Sequence, residues 1–296
     1  MRFGPLITLA ALACTPDDDS GQLTDSADSS LVDSFIGDSD TSGGDSGHTS
    51  DTSDTSDTSD TSDTGDIVEP AWGDGPLTVR GQVYFFDMET LGVIDWIRDV
   101  EGAEVYVFEA PELRVTLSAD DEHHFELPGI PEDTEFTLAV VHPDFHPHLT
   151  ATLTTADYDI DDITFQSVSH TIATLASALV GADISDETRC QMSTTVTAPD
   201  PENVWAPGEP GATVTTDPVV TAEQGPYYFD ESVIPAPELT ETTTDGGVLI
   251  VDAEPGTYLW DAHKDGVVFD QLKMKCVGGW LTNGSPPFGL NVIGGD

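Results

Sequence analysis

The residues Thr242 to Tyr258, TTTDGGVLIVDAEPGTY, leave the chain few ways to fold, because they compress one strand, two turns and the start of a second strand into a short stretch. Asp245-Gly246-Gly247 supplies residues that tolerate positive φ, Val248 to Val251 is an apolar run rich in β-branched residues, and Pro255-Gly256 turns the chain before Tyr258. The pattern predicts a hairpin. An earlier stretch repeats it: the strand Phe125-Glu126-Leu127 leads through Gly129-Ile130-Pro131 into Phe136-Thr137-Leu138. Ala-Pro-Glu-Leu precedes both, at 110–113 and at 236–239.

The same grammar runs through most of the chain. In residues 76–168, short alternating runs separated by turn signals predict strands at Val79 to Phe86, Ala103 to Phe108, Arg114 to Leu117, Phe125 to Leu127, Phe136 to Val141 and Ile163 to Phe165. A helix is predicted over Thr171 to Val180, where Ile172, Leu175, Ala176 and Leu179 recur at helical spacing, with Ser169 to cap its start and Gly181 its end. Strands then resume at Thr194 to Thr197, Ala212 to Thr215, Val248 to Val251, Tyr258 to Ala262 and Gln271 to Cys276. The predicted class is all-β: two tandem β-sandwiches, 76–168 and 190–296, joined by a helical connector at 169–189.

The N-terminal quarter has a different character. Residues 1–13 carry one arginine, Arg2, and an apolar run from Leu6 to Ala13. That run is far shorter than the ~20 residues that span a bilayer, so it reads as a signal peptide. Ala11-Leu12-Ala13-Cys14 resembles the bacterial lipobox. The resemblance implies cleavage before Cys14, lipid on its thiol, and, with Thr15 next, an outer-membrane or cell-surface address. The alternative is an ordinary cleaved signal with a chance cysteine. From Thr15 to Asp74 there are 17 acidic residues and no Lys or Arg, and Asp-Thr-Ser/Gly recurs five times from Asp51 to Gly65. Such a segment has too little apolar surface to offset the entropy of ordering, so 14–75 is expected to be a disordered tether with a reach on the order of 40 Å or more.

With 56 acidic against 8 basic residues, the chain has a formal charge of −48, which excludes nucleic acid as a partner. No Gly-x-Ser-x-Gly, His-Glu-x-x-His, phosphate-loop or Gly-x-Gly-x-x-Gly motif occurs, so the sequence predicts no catalysis and no cofactor.

The two β regions read as copies of one unit, since Gly102-Ala103-Glu104-Val105 matches Gly211-Ala212-Thr213-Val214. An opening strand with Gly81, then Gly-Ala-x-Val, Phe-x-Leu, a Pro-Gly turn and a strand ending in Pro143-Asp144-Phe145-His146-Pro147 resembles the carboxypeptidase regulatory-like domain. The resemblance implies a transthyretin-like or Ig-like sandwich and a non-catalytic surface or accessory role. Two departures stand out. Glu122-His123-His124 replaces a glycine turn, and the passage Cys276 to Asn291 has no counterpart in the first copy.

With Cys14 assigned to lipid, Cys190 and Cys276 are expected to form a disulfide in an exported protein, two buried thiols being the alternative. Five of the 8 histidines fall between 123 and 148. His146 and His148 share a strand face, and His124 is the third candidate for a zinc or copper site, against a reading of all three as loop and strand-end residues. Tyr227, Tyr228 and Trp280 are candidates for a ligand platform, against plain core packing. The sequence thus points to a lipid-anchored surface protein acting as a binding or structural module. The expected partners are the membrane, through Cys14, and a glycan or envelope protein; the alternative function is metal binding by the histidines.

Overall fold

The computed structural model describes residues 71–90, 93–95, 100–201 and 205–295. The signal peptide, Cys14 and nearly all of the acidic tether lie outside them.

The first half of the described chain contains β1 (Leu77–Thr90), β2 (Val93–Asp95), β3 (Glu104–Val107), β4 (Ala110–Thr116), β5 (His124–Ile130), β6 (Glu135–His142), β7 (Phe145–Thr154) and β8 (Ile160–Val168). Helix α1 (His170–Leu179) follows. The second half contains β9 (Cys190–Thr197), β10 (Thr213–Asp217), β11 (Tyr227–Phe229), β12 (Pro235–Ala236), β13 (Gly247–Ala253) and β14 (Gly256–His263), then β15 (Val267–Phe269), β16 (Leu272–Cys276), β17 (Leu281–Gly284) and β18 (Leu290–Gly295). The all-β class predicted from the turn-bounded runs is the one observed.

Both halves use the same pairing scheme. In the first, β1 pairs antiparallel with β5 and parallel with β8, facing a layer in which β6 joins β3 to β7. In the second, β9 pairs antiparallel with β13 and parallel with β18, facing β10-β14-β16. Each half closes on its own apolar cluster, one holding Phe136, Phe145 and Phe165, the other Met192, Ile250, Trp260 and Met274. The Gly-Ala-x-Val match is structural: Gly102 and Gly211 both have positive φ, 88° and 78°, and Ala103 and Ala212 are fully buried at the entries to β3 and β10. The Ala-Pro-Glu-Leu match is not. At 110–113 it lies inside β4, whereas at 236 it ends β12 and turns, with Leu239 N donating to Ala236 O.

The halves are not separate bodies strung on a helix. Strand β17, from the passage that lacked a counterpart, lies between β7 and β9 and pairs parallel with both, Leu281 opposite His148 on one side and Gln191 on the other. One sheet therefore runs β12-β11-β13-β9-β17-β7-β6-β3-β4 through both halves. Phe288, just beyond β17, packs against the first apolar cluster, and Lys273 Nζ reaches Glu135 at 2.6 Å.

The turns at 242–258 form as their residues dictate, but the strands they bound do not make the predicted hairpin: β13 pairs with β9 and β11 and β14 with β10 and β16, so Pro255-Gly256 carries the chain from one sheet to the other. Gly246 sits at φ 78°, where a Cβ would stand 2.4 Å from the Val196 carbonyl oxygen, so only glycine fits. Asp245 Oδ2 accepts from Gly247 N at 3.0 Å, yet burial still pushes its carboxyl up to about 6. In the first copy the glycine-free turn is made by Glu122 and His123, both in left-handed conformations at φ 46° and 74°.

Cys190 and Cys276 are bonded, with Cα atoms 5.5 Å apart and 86 residues enclosed. The bridge ties the first residue of β9 to the last of β16, across the two layers of the second half. Loop-closure entropy gives it a stabilising contribution of about 4 kcal/mol. Replacing both cysteines with serine should therefore lower unfolding free energy by roughly 2–5 kcal/mol in urea denaturation. An unchanged midpoint would contradict this role.

Candidate functional site

The histidines do not assemble. His124 lies on β5 opposite Gln82, at a position of the alternating strand that faces solvent, while Phe125 and Leu127 face the core. His146 and His148 lie on β7 and point inward. His148 is fully buried, its ring edge-on to Phe165 with centroids 5.5 Å apart and its Nδ1 3.4 Å from Ser167 Oγ. His146 meets His170 of α1 edge-on at 6.0 Å. Among the described residues no three His, Cys, Asp or Glu side chains are grouped to hold a metal ion. The metal reading of His124, His146 and His148 is therefore corrected: β5 turns His124 away from the interior that takes the other two.

Burial instead makes His146 and His148 neutral packing residues. Each leaves its Nε2 without a hydrogen-bond partner. Desolvation lowers His146 to about 4, with His170 adding repulsion, and lowers His148 to about 3, with His146 adding repulsion. Because both folded values lie below the unfolded one, the unfolded chain binds more protons under about pH 6.5, and stability is lost as pH falls from there towards the folded values. Raised Asp245 opposes this, gaining stability as pH falls below about 6.

The aromatic platform is likewise dismantled. Tyr227 and Tyr228 are neighbours on β11 and face opposite ways. Tyr228 is buried with its hydroxyl accepting from Val214 N at 2.9 Å, and the Tyr227 hydroxyl donates to Glu223 O at 2.8 Å. Trp280 packs edge-on against Phe108, centroids 6.0 Å apart. These rings hold the fold together rather than presenting one surface.

A groove at the junction of the halves has the features of a binding site. It lies between α1 and the face of the long sheet opposite the second apolar cluster, with a volume of about 190 Å³. Alternation along the strands creates it. Met192 and Ile250 point into the second cluster, so Gln191 and Ser193 of β9 and Leu249 of β13 point the other way. Leu281 and Asn283 of β17 and Gln166 of β8 complete the floor.

Helix α1 forms the roof. Ser169 Oγ accepts from Ile172 N at 3.2 Å to cap its start, and Gly181 follows its end at φ 79°. The periodicity predicted Leu175 and Leu179 on the buried stripe, but they are 45% and 55% exposed. The helix is seated through Ala173 and Ser177 instead. Small residues there let the backbone approach the sheet, and Ile172 and Ala176 line the opening.

The floor is polar within apolar walls. Asn283 Nδ2 donates to Gln166 Oε1 at 3.2 Å. Gln191 is engaged by Asp252, donating to its Oδ1 at 3.4 Å and accepting from its N at 3.2 Å. Sequence reasoning missed all three amides. Gln166 follows an apolar run and Asn283 sits in an unassigned passage, and only their long-range pairing brings them together.

No protein-family model matches the chain, and no curated protein matches it. Among solved structures, the chain is similar to GBS52, the minor pilin of the Gram-positive pathogen Streptococcus agalactiae. Identity is 8% over 73% of this chain and 95% of that one, with a TM-score of 0.24. A streptococcal ancillary pilin is similar at 10% identity over 72% and 68% of the two chains, TM-score 0.23. The Bacillus anthracis TIE protein is similar at 11% identity over 70% of this chain and 33% of that one, TM-score 0.20. At TM-scores this low the likeness carries no argument about function.

The histidine pair yields a prediction. Between pH 6.5 and 4.5, unfolding free energy of the wild type should fall more steeply than that of His148→Leu, by up to about 1.4 kcal/mol per pH unit. Chemical denaturation across that range measures both slopes. Equal slopes would mean that His148 stays neutral in both states or is not buried.

Proposed function

We propose that this chain is a non-catalytic surface protein that binds a ligand in the groove beneath α1 and is held to a membrane by lipid on Cys14. In this reading residues 14–75 are an acidic tether, and the sandwich halves, 76–168 and 190–296 with the connector 169–189, are modules related to the carboxypeptidase regulatory-like domain. Each half contains a strand with an antiparallel partner on one side and parallel pairing on the other, which supports reading the halves as copies of one unit.

The observation that carries the binding role is the groove itself: a largely apolar recess with a few convergent polar groups is the usual character of a ligand site. The Cys190–Cys276 disulfide supports export, since such bonds persist in oxidising compartments. A surface location suits the charge of −48, which keeps the protein soluble and repels nucleic acid and anionic lipid. Anchoring then falls to the acyl chains, because two or more hold stably where one is marginal. The ligand is expected among the glycans, proteins or small molecules of the envelope, and Thr15 after the cysteine favours the outer membrane of a host that has one.

Labelling with radioactive palmitate, combined with membrane fractionation, tests the anchor. The wild type should carry label and sediment with membranes, and Cys14→Ala should lose both label and membrane association. A Cys14→Ala protein that still sediments with label would overturn lipidation at this residue.

A further inference from the structure

Among the described residues that line the groove beneath α1 there is no Asp, Glu, Lys, Arg or His, in a chain with 56 acidic and 8 basic residues. A charged ligand would lose its hydration there and gain no counter-charge. An anion would also meet the repulsive field of the surrounding carboxylates. The site suits a neutral molecule.

The amides of its floor are engaged within the protein. Asn283 Nδ2 donates to Gln166 Oε1, and Asp252 holds both ends of the Gln191 amide. The surface left for a ligand is mainly hydrocarbon, with Ile172 and Ala176 on the helix and Phe229, Leu249 and Leu281 on the sheet. Burial of apolar surface, rather than a pattern of hydrogen bonds, is then what selects. A dry cavity of about 150 Å³ holds benzene, so one of about 190 Å³ takes roughly seven or eight carbons.

One lining residue carries a strain that its turn does not require. Val233 lies between β11 and β12 at φ 63°, where a β-branched side chain is a rare occupant. The turn is held through Asp230, whose Oδ1 accepts from Ser232 N at 2.8 Å and from Ile234 N at 3.1 Å, while Val233 N donates to Asp230 O at 3.0 Å. Glycine would make the same backbone bond without strain. What glycine lacks is the apolar side chain of a residue that lines the groove and is still 36% exposed. Strained residues of this kind collect at ligand sites.

We propose that the groove binds a neutral ligand through a hydrocarbon portion of roughly seven or eight carbons, and that Val233 is kept in its strained turn to pack against that portion. The proposal rests on the reading of the groove as a ligand site and names the chemistry of that ligand. Two sources carry this chemistry: a free compound of that size, and the end of a longer acyl chain whose remainder lies outside the groove.

Titration of the full chain with the 1-alkanols from butanol to decanol, followed by NMR at the backbone amides of Ile172, Ala176 and Leu281, tests this at the site itself. Affinity should rise about fourfold per methylene up to heptanol or octanol and then stop rising. Beyond that length, constant affinity identifies the acyl-chain source, and falling affinity the small compound. Hexanoate, hexylammonium and glucose should bind there with at least about tenfold lower affinity than hexanol. Val233→Gly should weaken hexanol binding several-fold with the melting temperature retained or raised. A lowered melting temperature, or unchanged affinity, would overturn the role given to Val233. Hexanoate or glucose shifting these amides with the affinity of hexanol would overturn the apolar assignment while leaving the groove a ligand site. No shift of these amides by any of the probes would overturn both the assignment and the groove as the site.

Discussion

The structure depends on four residues, Leu281 to Gly284, whose backbone pairs on both edges. A strand with neighbours on either side satisfies its N–H and C=O groups in both directions, and here the neighbours belong to different halves of the chain. Without β17, β7 and β9 would each present an open edge at the centre of the protein. With it, the two apolar clusters become parts of a single sheet-linked unit. The disulfide at Cys276, five residues before β17, anchors the chain that delivers this strand.

The groove follows from the same joint. Wherever the long sheet passes from one half to the other, its lower face is committed to the second cluster and its upper face is left with mixed side chains. Alternation places Leu281 and Asn283 upward, and Gln166 arrives from β8 to meet Asn283. Helix α1 covers that face through small residues rather than through its leucines, so the contact leaves a recess instead of a filled core. Neither half alone contains this recess, since its lining is drawn from both.

Strand class, turns, helix and disulfide were legible in the sequence because each is encoded locally or by simple pairing, whereas the hairpin expected at 242–258 did not form because β13 and β14 take partners in different sheets. Gly246 announces its turn, Ser169 its cap, and the two cysteines left once Cys14 is set aside announce each other. Strand β7 was only partly legible: the two-residue spacing put His146 and His148 on one strand face, but Pro143 and Pro147 read as turn residues, and nothing local placed His148 in the interior of a central strand that runs from Phe145 onward. Those histidines looked like ligands because polar residues are expected to face water, and tertiary packing overrode that expectation. Strand β17 was invisible for another reason. Its residues Leu-Thr-Asn-Gly carry almost no strand signal, and its stability comes from partners 133 residues and 90 residues away in sequence, as with Thr194 Oγ1 donating to Gly284 O at 2.9 Å with a separation of 90.

Native-state hydrogen exchange resolved to single amides measures the joint directly. If β17 welds the halves, the bonded amides of β17, β7 and β9 should exchange only with global unfolding, at one common free energy. Exchange of the β17 amides at a much lower free energy, with the two halves opening independently of each other, would contradict a single sheet-linked unit and with it the shared floor of the groove.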